Sequence, residues 1–173
     1  MSETSKALWA PWRMEYIRAS SGPPGEGCFL CDYAQAPDGD AENHVIWRSG
    51  QTLTLFNSFP YSNGHLMVAP RQHTADLSAL DAAAHAGLGE ALRRAIALLQ
   101  GALRPDGMNV GLNLGAAAGA GFADHLHWHL VPRWSGDTNF MPVIAEVHCI
   151  PEHLEAMWAR LTPVFAALDQ PDG

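Results

Sequence analysis

Between residues 124 and 132 the chain alternates strictly, Asp-His-Leu-His-Trp-His-Leu-Val-Pro, which predicts a strand. Leu126, Trp128 and Leu130 would turn to a core. His125, His127 and His129 would share the opposite face, about 6–7 Å apart at i and i+2. Shorter apolar runs predict strands at Val45–Arg48 and Thr52–Phe56 around a Ser49-Gly50 turn, at His65–Ala69 before Pro70, and at Met108–Asn113. Leu80, Ala84, Leu88, Ala91, Leu92, Ala95, Leu98, Leu99 and Leu103 recur at three-to-four spacing. They predict one long helix from Ala79 to Leu103, ended by Pro105-Asp-Gly. A second amphipathic helix is expected over Glu152–Leu168, with Pro151 suited to its first turn.

The connections read as a short knuckle at Cys28–Cys31, a Pro/Asp/Gly-rich loop at Ala36–Glu42, and a Gly/Ala loop at Gly115–Gly121. There is no internal repeat. Strands fall before, between and after helices without βαβ spacing, so the expected class is α+β with an antiparallel sheet. The expected organisation is an N-terminal extension over residues 1–27, a single domain over 28–168 and a tail over 169–173. The extension carries Trp9-Ala-Pro-Trp-Arg-Met-Glu-Tyr16, whose tryptophans are expected to cover a core edge, with a subunit surface as the alternative.

Composition narrows the function classes. A net charge of −8, with one lysine among ten basic residues, argues against an extended nucleic-acid footprint. It leaves room for a small phosphorylated ligand held by imidazoles, backbone N–H groups and an arginine or two. No run reaches the ~20 apolar residues of a membrane helix. The first residues lack a signal-peptide pattern, so the expected compartment is the cytoplasm. Cys28, Cys31 and Cys149 are an odd set, which disfavours a disulfide framework; Cys28-Phe-Leu-Cys31 suggests metal or redox chemistry.

Three imidazoles on one face are poor packing material and need a phosphate, a metal or a proton. Neutral imidazole is nucleophilic near pH 7 and can attack phosphorus and leave again. A second imidazole on the same face can donate to phosphoryl oxygens. The glycines of the 115–121 loop, Gly119 and Gly121 among them, let backbone approach an anion. Arg133 could grip polyphosphate charge or spend itself on a salt bridge.

The segment His125-Leu-His127-Trp-His129-Leu-Val131 resembles the signature of the histidine-triad (HIT) superfamily. So do Phe56-Asn-Ser-Phe-Pro60, Asn63-Gly-His65-Leu-Met-Val-Ala-Pro70 and Asn109-Val-Gly-Leu-Asn-Leu-Gly115. Together they cover most of the chain. Pro132-Arg-Trp-Ser-Gly-Asp-Thr-Asn-Phe-Met-Pro142 is similar to the bacterial branch of diadenosine tetraphosphate phosphorylases.

The resemblance implies a HIT-like antiparallel meander with one long and one C-terminal helix, and a homodimer. It implies His127 as nucleophile, His129 on the phosphate and bridging oxygens, and Asn57, His65 and Asn113 near the nucleotide. This loop lacks the side-chain donor many relatives carry, so backbone donors would serve. The resemblance also completes Cys28 and Cys31 with His73 and His125 as a closed, structural zinc site; no organic cofactor is expected.

The implied reaction is nucleotidyl transfer from a dinucleoside polyphosphate through a nucleotidyl-His127 intermediate. Inorganic phosphate as acceptor would yield ATP and ADP from diadenosine tetraphosphate. Hydrolysis of nucleoside monophosphate esters, a nucleotide sensor without turnover, and a hydrolase with zinc on the triad itself remain alternatives.

Overall fold

A computed structural model describes residues 27–137 and 150–169. The expectations placed on Trp9–Tyr16, on residues 138–142 and on Cys149 lie outside the described residues. Five strands form one antiparallel sheet: β1 (Val45–Arg48), β2 (Thr52–Phe56), β3 (Leu66–Pro70), β4 (Gly107–Leu112) and β5 (Trp128–Arg133), in the order β1-β2-β3-β5-β4. Among the described residues three helices join it, and the fold is the expected α+β HIT-like meander.

Both faces of the sheet are covered over β1–β3. Helices α2 (Ala82–Leu103) and α3 (Leu154–Phe165) close one face. There Leu88, Ala91, Ala95 and Leu99 meet Met157, Leu161 and Phe165 over Leu66, Val68, Leu126 and Leu130. Each such buried Leu or Phe is worth roughly 1.5–3 kcal/mol of transfer free energy. On the other face α1 (Phe29–Gln35) sets Leu30 against Val45, Leu53, Leu55, Met67 and Ala69. Double coverage explains why β2 and β3 are buried at every position.

Capping sharpens the helix bounds. The long helix starts at Ala82 rather than Ala79, because the Asp81 carboxylate accepts the Ala84 N–H at 2.8 Å. Leu77–Ala79 is a separate 3-10 turn capped by Asp76. Arg104 ends α2 in the left-handed conformation. The last helix begins at Leu154 with His153 as its cap, so Pro151 precedes it instead of opening it; beyond Phe165 a 3-10 turn continues to Asp169. The Cys28–Cys31 knuckle proves to be the cap and first turn of α1.

One difference matters for the site. The β3–β5 ladder stops at Val68 opposite Trp128, so His125 and His127 lie ahead of the strand. Continuing it would set Leu126 opposite Pro70, which has no N–H to give. The Leu126 N–H turns instead to the Thr74 carbonyl at 2.8 Å. The expected alternation survives: Leu126 and Leu130 are buried in the core and Trp128 packs against it.

Gly64, before β3, has φ +71°, and a Cβ there would fall 2.5 Å from Leu103 Cδ1. Both the φ and the contact favour glycine in that turn, which delivers His65. Among the described residues, no helix is long and apolar enough to cross a membrane.

Candidate active site and metal centre

The histidine rings are ordered by what their nitrogens can bond. His127 Nδ1 lies 2.9 Å from the His125 carbonyl oxygen. A carbonyl only accepts, so Nδ1 carries the proton and Nε2 keeps its lone pair. His127 is buried, and burial holds its pKa below the ordinary histidine value, opposed in part by that hydrogen bond. The ring is therefore neutral near pH 7, with Nε2 as its basic nitrogen.

His129 receives the opposite tautomer. The Tyr61 N–H donates to His65 Nδ1 at 3.1 Å, which places the His65 proton on Nε2. That nitrogen faces His129 Nδ1 at 3.0 Å, so His129 accepts there and carries its own proton on Nε2. The His127 and His129 ring centroids are 5.1 Å apart. A lone pair and an N–H donor thus stand side by side. His65 is completely buried, and desolvation, then the neighbouring His129 and His127, push its pKa down to about 3.

His125 closes a second cluster. Its Nε2 donates to the Pro70 carbonyl at 2.8 Å, leaving the Nδ1 lone pair 3.2 Å from Cys28 Sγ and 3.6 Å from Cys31 Sγ. His73 Nδ1 lies 3.4 Å from Cys31 Sγ, and the four ligand atoms fall within 4.8 Å of one another. A tetrahedral zinc with ordinary bond lengths has S···N edges of about 3.6 Å, so this donor set fits. Burial and the adjacent Cys28 push the Cys31 thiol up to about 11. Among the described residues no second group of three such donors gathers, so the triad rings do not converge on a metal of their own.

Two arginines brace this centre. Arg48 pairs with Asp40 and donates to the Tyr33 and Ala34 carbonyls at 2.6 and 3.2 Å. Arg71 reaches the Ala34 carbonyl at 3.0 Å. Both therefore hold the C-terminal end of α1, the helix that carries Cys31.

The other candidates spend their polar groups on contacts within the chain. The Asn57 carboxamide oxygen accepts the Phe59 N–H at 2.8 Å and so shapes the turn ahead of His65. Asn113 reaches across to the Gly119 carbonyl at 3.4 Å, closing the Gly/Ala loop. Within that loop the N–H groups of Ala118, Gly119 and Ala120 bond to the Gly115 and Ala116 carbonyls; Gly121 ends the loop. Arg133 directs Nε and Nη2 to Asp137 at 2.6 and 2.8 Å, and Nη1 to Asn109 at 2.9 Å. Its charge is thus shared with the turn after β5. Sequence reasoning missed Tyr61, Pro70, Arg48 and Arg71. Backbone partners such as the Tyr61 N–H and the Pro70 carbonyl leave no mark in a sequence, since nearly every residue has both.

Residues 38–136, more than half of the chain, match the HIT domain family. The chain belongs to that family. It is 37% identical to an AP-4-A phosphorylase of Mycobacterium tuberculosis over 88% of this chain and 84% of that protein. It is 26% identical to an adenosine 5'-monophosphoramidase of Schizosaccharomyces pombe over 60% of this chain and 74% of that one. A Zn-bound histidine triad family protein from Mycobacterium smegmatis superposes with a TM-score of 0.64 at 27% identity, covering 83% of this chain and 96% of that one.

His65 makes acid stability a readout of this network. Its pKa is depressed in the folded state, so below pH 6.5 the unfolded chain binds a proton that the folded chain refuses until about pH 3. Stability is therefore lost as pH falls through that window. Between pH 7.5 and 5 this residue should account for roughly 2 kcal/mol of the loss. His65→Gln should flatten that slope in urea titrations, whatever its stability at neutral pH; an unchanged slope would show that His65 is protonated in the folded protein.

Proposed function

We propose that the protein transfers a nucleotidyl group from a dinucleoside polyphosphate, through a nucleotidyl-His127 intermediate, to inorganic phosphate. The observation that carries this reading is the hydrogen bond from His127 Nδ1 to the His125 carbonyl, which leaves Nε2 nucleophilic beside the His129 donor. His127 Nε2 attacks the α-phosphorus. The bond from phosphorus to the bridging oxygen breaks, and its electron pair leaves with the departing nucleotide. The His129 Nε2–H stabilises charge growing on the phosphoryl and bridging oxygens. A phosphate oxygen then attacks phosphorus and releases His127.

From diadenosine tetraphosphate and phosphate the products are ATP and ADP; with water as acceptor they are ATP and AMP. Loop amides not spent within 115–121, with Asn57 and Asn113, serve the nucleotide and its phosphates. The monophosphoramidase relative favours a second reading, the same chemistry on an adenylyl group whose leaving group is an amine.

Zinc is the metal that the Cys28, Cys31, His73 and His125 donors suit. All four positions would be filled by protein, so its work is structural. It would join α1, the segment after β3 and the approach to β5, which are distant in sequence. Binding free energy then becomes folding free energy. The chain is also proposed to form a homodimer. Val110 lies on edge strand β4, facing the same side as the core residue Leu130 yet 46% exposed, and a second copy would cover it. Sedimentation at the monomer mass would exclude that assembly.

The decisive measurement is chromatography of products from diadenosine tetraphosphate with and without phosphate. ADP should appear only with phosphate, and AMP in its place identifies hydrolysis. His127→Ala should lose several orders of magnitude in kcat. His129→Ala should lose about 100- to 1000-fold, with substrate still bound. A His127→Ala protein retaining a tenth of wild-type rate would exclude the covalent route.

For the metal, the purified protein should hold one zinc per chain. Cys28→Ser and chelation should each lower zinc content and Tm. Protein lacking zinc and indifferent to chelator would return both cysteines to ordinary core roles.

A further inference from the structure

The loop from Asn57 to His65 is fastened at every stage. The Asn57 N–H meets the His65 carbonyl at 3.0 Å, and the Tyr61 N–H meets the His65 ring at 3.1 Å. On this pinned loop the Tyr61 side chain remains half exposed, at 50%. One side of its ring lies against two imidazoles: the centroid is 4.7 Å from His65, tilted 36°, and 5.9 Å from His129, tilted 30°. The rings therefore follow one another outward in the order His127, His129, Tyr61. An exposed aromatic ring on a preordered backbone binds another flat ring without an ordering cost.

We infer that Tyr61 stacks on the base of the departing nucleotide and thereby selects dinucleotides over adenylyl esters with small leaving groups. The inference rests on the nucleotidyl-transfer reading above. An in-line displacement sends the leaving half away from His127, past the His129 donor at the bridging oxygen, and Tyr61 is the next ring on that side. A flexible polyphosphate lets the second base settle against it. The two candidate substrate classes share the adenylyl half and differ only in what departs, a nucleotide or an amine. A ring placed beyond His129 can tell them apart, and one placed at the adenylyl half cannot.

The test compares wild type, Tyr61→Ala and Tyr61→Phe on diadenosine tetraphosphate and on adenosine 5'-phosphoramidate, with kcat and KM measured separately. Tyr61→Ala should raise KM for the dinucleotide by about tenfold, the scale of one lost base–aromatic stack. Any change in the phosphoramidate values should be several-fold smaller than that on the dinucleotide, so the preference between the two substrates falls, and Tyr61→Phe should behave as wild type on both. Equal losses on the two substrates would make Tyr61 a cover for His65 and overturn the inference, as would an unchanged KM for the dinucleotide. Wild-type protein that processes neither substrate would overturn the nucleotidyl-transfer reading instead. Calorimetric affinities for diadenosine tetraphosphate and for AMP would then decide Tyr61: a loss in Tyr61→Ala confined to the dinucleotide supports it, and any other pattern overturns it.

Discussion

The hydrogen bond from the His127 ring to the His125 carbonyl is the constraint on which the site depends. His125 uses both ends of its structure. Its ring is held between the Pro70 carbonyl and the two cysteine sulfurs, and its backbone carbonyl sets the tautomer of His127 two residues on. A movement of the His125 ring is a movement of the peptide that orients His127. A metal held by Cys28, Cys31, His73 and His125 would be closed to solvent chemistry and would still act on His127 through this peptide, in the manner of outer groups that aim a reactive one.

The fold supplies this geometry by interrupting its own ladder. Were β3 and β5 paired past Val68 and Trp128, the residues at 125–127 would spend their backbone groups on sheet bonds. Pro70 prevents that, and the freed carbonyls of Pro70 and His125 become partners for imidazoles. On the far side, His129 remains inside the ladder, opposite Met67 and Gly111, and is held rigid by two neighbouring strands. His127 on a shaped approach and His129 on a strand are kept at a fixed separation by one continuous segment.

Burial does the electrostatic work. Desolvation of His65 and His127 keeps both rings neutral at physiological pH, so their tautomers persist. Covering the second face of the sheet with α1, whose carbonyl end is gripped by Arg48 and Arg71, excludes water from the Cys28 side. The same covering draws Cys28 and Cys31 to the two histidines they lack in sequence.

What could be read from the chain was local or periodic. The 125–131 alternation, the β1–β2 hairpin around Ser49-Gly50 and the stripe of α2 are set by which face a residue must bury, and that is written at fixed spacing. The resemblance to HIT proteins added the pairing of Cys28 and Cys31 with His73 and His125. The rest depended on groups that every residue owns. No pattern marks the Pro70 carbonyl or the Tyr61 N–H as partners of particular rings. No spacing shows that the Arg133 donors turn to Asp137 and Asn109, or that the Asn57 oxygen turns to its own loop. Sequence alone determined which imidazoles share a face, because side-chain direction alternates with the backbone. Only the tertiary structure decided which nitrogen of each holds the proton, because a tautomer is chosen by the one acceptor or donor that packing brings within 3 Å.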